Sequence, residues 1–173
     1  MVAEKEIRKV LSQVVDPEIP VLTIEEMGIL DDVKIIDNRI NIFILPTYNG
    51  CPAMDLIKME ISSAMYDAGY RNFNIHLKQS PPWTTERMSI EALTKMKAYG
   101  IAPPQNHVDI QALISGRYQV QCPKCKSEDT LLLSSFGATA CKAMFKCNQC
   151  LEPFEYFKCF KAGKIEGELI LNK

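Results

Sequence analysis

The chain has 173 residues, of which 47% are hydrophobic and 24% charged, close to the composition of ordinary globular proteins. Its 20 Lys and Arg against 21 Asp and Glu leave a formal net charge of −1, which disfavours nucleic acid as a partner. No stretch approaches the ~20 apolar residues that span a bilayer, and the acidic N-terminus lacks the apolar core of a signal peptide. We therefore expect a cytoplasmic protein that has no membrane partner.

The first hundred residues predict an α+β domain with the element order αββαβα. Apolar residues recur at helical spacing in two segments, over 4–14 and 52–68, and alternate with polar residues over 72–78. The segment 39–45 has apolar residues on both faces, as in a strand that is buried on both sides. Asp37-Asn38 suits a tight hairpin turn between two strands, and Gly69 suits the end of the second helix. The predicted elements are helices over 4–14, 52–68 and 87–99 and strands over 33–36, 39–45 and 72–78. We expect this domain to fill residues 1–100, a linker containing Pro103-Pro104 to fill 101–116, and a second domain to fill 117–173.

The second predicted domain is too small to depend on apolar burial alone, and it contains six of the seven cysteines. Four of them form two CxxC pairs, and two such turns can direct four thiolates at one tetrahedral ion. The pattern predicts a β-rich zinc ribbon with a structural metal, although a rubredoxin-like iron site would use the same ligands. The metal ligands are Cys122, Cys125, Cys147 and Cys150.

Cys141 and Cys159 remain outside this pattern. One interpretation makes both of them small buried core residues. The other makes them a second thiol site that binds a transient metal or cluster.

Cys51 is the one cysteine of the first domain, and it lies between a predicted strand and a predicted helix. The unpaired N–H groups of a helix N-terminus favour a thiolate, so the pattern predicts a lowered pKa for this thiol. Thr47 supplies a nearby hydroxyl, and Asp16 and Glu18 are candidate carboxylate supports if the fold brings them to Cys51. The alternatives are a cysteine that fills a gap and a solvated acidic turn.

The histidines and the single tryptophan are the other residues with chemical potential. His76 alternates with the apolar residues of a strand and His107 lies in the linker, so neither supports a Cys–His hydrolase. Trp83 follows two prolines, and it either covers the core or anchors a protein partner.

Two short motifs carry a family resemblance. Asp16-Pro17-Glu18, followed by Pro46-Thr47-Tyr48-Asn49-Gly50-Cys51-Pro52-Ala53, resembles the MIP18-like (DUF59) family over residues 3–80. That resemblance implies a role in iron–sulfur cluster assembly and a transient iron–sulfur cluster or iron at Cys51. It also implies a possible homodimer, since MIP18-like domains can pair.

The whole chain resembles the D-subunit (J-type) family of phenylacetyl-CoA epoxidases, in residues 15–23, 80–85, 98–104, 136–143 and 152–159. The resemblance implies an accessory maturation factor for the iron–sulfur or di-iron centres of this multicomponent enzyme in aerobic phenylacetate degradation. The implied partners are the reductase, the di-iron oxygenase, or both. A non-catalytic scaffold for these subunits is the alternative. The chain is not expected to perform the epoxidation, because it lacks Glu-x-x-His pairs and a Gly-rich nucleotide loop.

Overall fold

The computed structural model describes residues 3–104 and 119–158. Its first part contains three helices, four strands and a short 3₁₀ turn, and its second part contains three strands. The elements in chain order are α1 (Glu4–Leu11), β1 (Leu30–Ile36), β2 (Arg39–Ile44), α2 (Ala53–Asp67), β3 (Phe73–Leu77), the 3₁₀ turn (Thr85–Arg87), α3 (Ile90–Tyr99), β4 (Ile101–Ala102), β5 (Thr130–Ser134), β6 (Lys142–Cys147) and β7 (Pro153–Phe157). The predicted α+β class and the αββαβα order are confirmed.

The first sheet has the order β1-β2-β3, with β1 and β2 antiparallel and β2 and β3 parallel. Asp37 and Asn38 have φ values of 49° and 58°, so the β1–β2 hairpin has the predicted positive-φ turn. The parallel pair requires a crossover, which α2 provides. The apolar sides of α1, α2 and β2 meet in one core through Ile7, Leu11, Ile42, Ile57 and Ile61, all 0% exposed.

The predicted first helix is too long, because α1 ends at Leu11. Val15 instead forms an isolated β-bridge with Thr23, and the Asp16 backbone N–H donates to the Leu22 carbonyl at 2.8 Å. These contacts close the 15–23 loop and take residues 14 and 15 out of the helical path. The loop carries Asp16 and Glu18 toward the interior.

Two other boundaries also differ from the prediction. β1 begins at Leu30 instead of residue 33, because Leu30 and Asp32 already pair with Ile44 and Phe43 of β2, across a register shift. α3 begins at Ile90 instead of residue 87, because the Ser89 hydroxyl caps the helix by accepting the Ala92 N–H at 3.0 Å.

The second sheet has the order β4-β7-β6-β5. β4 follows α3 directly and pairs in parallel with β7, so residues 101 and 102, expected to begin the linker, are strand residues of this sheet. The other pairs are antiparallel. Residues 105–116 of the predicted linker lie outside the described residues.

The two parts of the chain also contact each other through aromatic side chains. The Trp83 ring packs edge-on against Phe157 of β7, with 6.1 Å between the ring centroids, and Trp83 Nε1 donates to the Met27 carbonyl at 2.9 Å. Trp83 is only 3% exposed, so of its two interpretations the buried one is correct. Over residues 3–104 and 119–158, no helix has the length and apolar character needed to cross a membrane.

A substitution at Gly28 tests how closely the chain packs next to Met27, whose carbonyl accepts the Trp83 hydrogen bond. The φ of Gly28 is +66°, and a Cβ would lie 2.5 Å from Arg87 Cβ and 2.6 Å from the Arg87 carbonyl oxygen. Gly28→Ala should therefore lose about 1–2 kcal/mol of unfolding free energy to left-handed backbone strain and a further ~1–3 kcal/mol to the clash. Urea unfolding followed by the emission of the single tryptophan, Trp83, measures this loss.

Gly69→Ala is the matched control, because Gly69 has a φ of +88° and a Cβ added there would meet nothing within 4 Å. It should lose only the strain component. Equal losses for the two variants would contradict the close approach of Arg87 to Gly28.

Candidate functional site

The four ribbon cysteines converge at one end of the second sheet. Their Sγ atoms all lie within 4.8 Å of one another, with Cys122 and Cys150 at 3.7 Å and Cys125 and Cys147 at 3.5 Å. A tetrahedral zinc ion with Zn–S bonds of about 2.3 Å requires sulfur atoms ~3.8 Å apart. The donor set and its spacing therefore fit a structural zinc ion.

Both CxxC turns have the same backbone design. The residue after the second cysteine has a positive φ in each turn, 66° at Lys126 and 62° at Leu151. The Cys150 N–H donates to Cys147 Sγ at 3.4 Å, and this hydrogen bond is the largest of several that lower the pKa of the Cys147 thiol. These hydrogen bonds favour the Cys147 thiolate, and the thiolate is the form that binds metal.

A second candidate site is a small cavity where the first domain meets the second sheet. The space open to the centre of a water molecule is about 10 Å³, enough for roughly one water. Its polar lining comes from Asp16, Glu18, Thr47 and Cys51 of the first domain and Cys141 of the second part. The remaining lining is largely apolar and includes Met27, Ile57 and Phe157.

Asp16 shapes the turn that carries Glu18 into this site. It is 5% exposed, and its Oδ1 accepts the backbone N–H groups of Glu18 and Ile19, both at 2.8 Å. Burial raises the pKa of the Asp16 carboxyl, although these two hydrogen bonds oppose the shift. Asp16 therefore fixes the local backbone, and Glu18 is left to face the sulfur atoms.

Cys141 precedes β6 and is 3% exposed. Its Sγ lies 3.4 Å from Glu18 Oε2, to which the thiol donates, and 2.9 Å from Thr139 Oγ1. Burial, followed by the charge of Glu18, raises the pKa of this thiol to about 12, so it is protonated at neutral pH. The sequence did not indicate that Cys141 and Cys51 share one cavity.

Cys51 is half-buried at the start of α2. The expected lowering of its thiol pKa is wrong, because burial raises the pKa and the nearby Glu18 charge adds to the rise. The Ala53 backbone N–H and the Tyr48 and Thr47 side chains favour the thiolate but do not outweigh burial. Without a compensating cation, Cys51 is therefore a neutral thiol.

The remaining candidate residues from the sequence lie in other places. His76 Nε2 lies 2.9 Å from Asn41 Oδ1, and its ring stacks on Phe43, away from the cavity lining. Cys159 and His107 lie outside the described residues, so the predicted role of Cys159 stays a prediction. Asp16, Glu18, Thr47 and Cys51 meet around one cavity.

Comparison with known proteins places the chain in a family. Residues 4–69 match the family model described as iron-sulfur cluster assembly protein, and residues 107–158 match the PaaD zinc beta ribbon domain. The chain is 43% identical over 154 residues to an Escherichia coli (strain K12) protein provisionally named as the D subunit of 1,2-phenylacetyl-CoA epoxidase. This match covers 89% of the chain and 92% of that protein, and the chain belongs to the same epoxidase D-subunit family.

Two further relatives match the first domain. The chain is 35% identical over 81 residues to an Fe-S protein maturation auxiliary factor of Bacillus subtilis (strain 168), covering 46% of this chain and 78% of that protein. A crystal structure of a DUF59 domain of unknown function from Bacillus anthracis aligns with a TM-score of 0.50 at 26% identity. That alignment covers 54% of this chain and 90% of the other. The first domain therefore has the DUF59 fold.

Removal of zinc should loosen the contact between the two parts of the chain. The ribbon core is a small cluster that includes the metal ligands Cys122 and Cys147, so we expect chelation to release β7 and expose Trp83, which Phe157 now covers. Trp83 emission should shift to longer wavelength as zinc leaves and return when zinc is added back. Zinc-free protein with unchanged emission and unchanged circular dichroism would contradict the structural role of the metal.

The pH dependence of Cys51 alkylation tests the electrostatics of the cavity. Glu18→Gln removes a charge that raises the pKa of Cys51, so the midpoint of iodoacetamide modification should move to lower pH. Mass spectrometry of the peptide containing Cys51 separates this thiol from the other six. Glu60→Gln on exposed α2 surface is the control and should leave the midpoint in place. A midpoint that stays fixed or rises in Glu18→Gln would contradict the assignment.

Proposed function

We propose that the chain is an accessory maturation factor that helps to assemble or repair the metal centres of a multicomponent phenylacetyl-CoA epoxidase. The observation that carries the proposal is the meeting of Cys51 with Glu18 and Asp16 in one cavity, within the segment that matches the iron-sulfur assembly family. A thiol beside carboxylates offers soft and hard donors, a combination that suits iron. The iron or iron–sulfur cluster is cargo in this proposal and is passed on to the epoxidase.

Each residue of the cavity has a distinct role in this proposal. Cys51 is the sulfur ligand of the cargo, and Thr47 and Tyr48 orient its thiol. Asp16 holds the 15–23 loop, and Glu18 is the carboxylate nearest the sulfur of Cys141. The zinc site of Cys122, Cys125, Cys147 and Cys150 is structural.

The relatives support the partners that we propose. The Escherichia coli protein is named as an epoxidase subunit, and the Bacillus subtilis protein as an iron–sulfur maturation factor. We therefore propose the reductase, the di-iron oxygenase, or both as recipients. Because a net charge of −1 gives no strong attraction to polyanions, other proteins suit this chain as partners.

The test is complementation of a strain from which only this subunit has been deleted. Cys51→Ser should leave the purified epoxidase subunits short of iron and sulfide, because serine cannot replace the sulfur ligand. Asp16→Asn should keep an Oδ1 that accepts the Glu18 and Ile19 amides but lose the carboxylate, and we expect partial loss. Iron and sulfide content of the oxygenase and the reductase is the measurement.

Asp55→Asn is the matched control, because the Asp55 side chain is 88% exposed on α2 and lies outside the cavity lining. It should restore metal content fully. Full restoration by Cys51→Ser would refute the maturation role. If the subunits of the deletion strain are fully metallated but do not assemble, the chain is a scaffold and the proposal fails.

A further inference from the structure

Cys141 belongs to the first domain's core although it lies in the second part of the chain. The buried residues fall into two clusters, and Cys141 and Phe157 pack with Trp83 and the α1–α2 core. The ribbon cluster is separate and contains Val120, Phe145 and Tyr156. The second part of the chain therefore contributes one thiol to the cavity of the first domain.

The surroundings of Cys141 are polar, which a cysteine that only fills space does not require. A buried thiol used for packing sits among apolar groups, whereas Cys141 contacts a carboxylate at 3.4 Å and a hydroxyl at 2.9 Å. Cys51, a second thiol, lines the same cavity. Two thiols and Glu18 thus form a potential donor set of two soft groups and one hard group.

The charges around the cavity favour a cation as the ligand. Glu18 raises the pKa of Cys51 and of Cys141, because their thiolates repel its carboxylate. Of the buried lysines of the second part, Lys142 is already paired with a carboxylate at 2.7 Å, and Lys158 Nζ donates to the Ser135 carbonyl at 3.1 Å. A bound divalent cation would reverse the repulsion and stabilise both thiolates.

We propose that Cys51 and Cys141 are joint thiolate ligands of one thiophilic divalent metal ion of the Fe²⁺ type, held between the two parts of the chain. This inference rests on the proposed function and names the second sulfur ligand of its cargo site. As the ion enters, the Cys141 and Cys51 protons both pass to solvent, the Cys141 proton by way of Glu18, with no change of oxidation state. A cavity of about 10 Å³ suits one ion.

The thiols of Cys51 and Cys141 and the Glu18 carboxylate must move closer together to bind one ion. Among the residues that the structure describes, the ribbon cysteines are the one group of three or more donor atoms that all lie within 4.8 Å. The Cys51–Cys141 site therefore closes by side-chain rotation when it is occupied. This requirement predicts weaker binding there than at the ribbon, which suits a cargo site.

The experiment adds Co²⁺ under anaerobic conditions to the full chain, with its ribbon already filled by zinc. Thiolate ligands select zinc, so Co²⁺ reports on the second site through its thiolate charge-transfer band. Wild type should bind one Co²⁺ per chain beyond zinc. Cys51→Ser and Cys141→Ser should each reduce the band to about half and weaken binding more than ~100-fold, since even outer-shell changes cost about 10–100-fold.

Further variants separate ligation from folding. Glu18→Gln should weaken Co²⁺ binding by about 10-fold, and Glu60→Gln should not change it. Zinc content and Trp83 emission report whether Cys141→Ser is folded, and Cys141→Ala provides a second variant if the serine is poorly tolerated. A folded Cys141 variant with wild-type Co²⁺ affinity and band would overturn the inference.

The outcomes distinguish this inference from the maturation role. If Cys51→Ser loses Co²⁺ and complementation while Cys141→Ser retains both, the joint site is wrong and the maturation role stands. Absence of Co²⁺ binding by wild type also overturns the joint site. Complementation that does not depend on Cys51 overturns the maturation role whatever the Co²⁺ result.

Discussion

The contact between the first domain and the second sheet is the interaction on which the rest of this structure depends. It is made by β4 pairing with β7, by Trp83 packing against Phe157, and by Cys141 entering the first domain's core. Without this contact, Cys51 would be more exposed to solvent, and the pKa of its thiol would lie closer to the ordinary value. The cavity, the meeting of two thiols in it and the raised pKa values of those thiols all follow from the way the two parts pack together.

The zinc site and the cavity are physically linked through the second sheet. Cys147 ends β6, Cys141 directly precedes β6, and Phe157 ends β7. The metal holds the two CxxC turns together, and its ligands Cys122 and Cys147 belong to the small core of this domain. The zinc therefore stabilises a fold that also positions Cys141. Loss of the metal should displace Cys141 from the cavity, although the two sites do not touch.

Local chemistry explains which features could be predicted from the sequence. The Asp37-Asn38 turn and the four ribbon cysteines depend on short-range geometry. The end of α1 and the start of β1 differ from the prediction because the decisive contacts, Val15 with Thr23 and Leu30 with Ile44, join residues that are apart in the sequence. The proximity of Cys141 to Cys51 depends on packing between distant segments, and the Cys51 pKa depends on burial that a helix N-terminus alone does not reveal.

The central claim is that the two parts of the chain build one sulfur site for a metal ion. Iron K-edge X-ray absorption of the zinc-filled chain, given one equivalent of Fe²⁺ without oxygen, counts the sulfur atoms around iron most directly. We expect a shell of two sulfur atoms completed by oxygen in the wild type, and a shell with one sulfur atom in Cys141→Ser. An iron shell of oxygen and nitrogen alone, or a wild-type shell unchanged in Cys141→Ser, would contradict this claim.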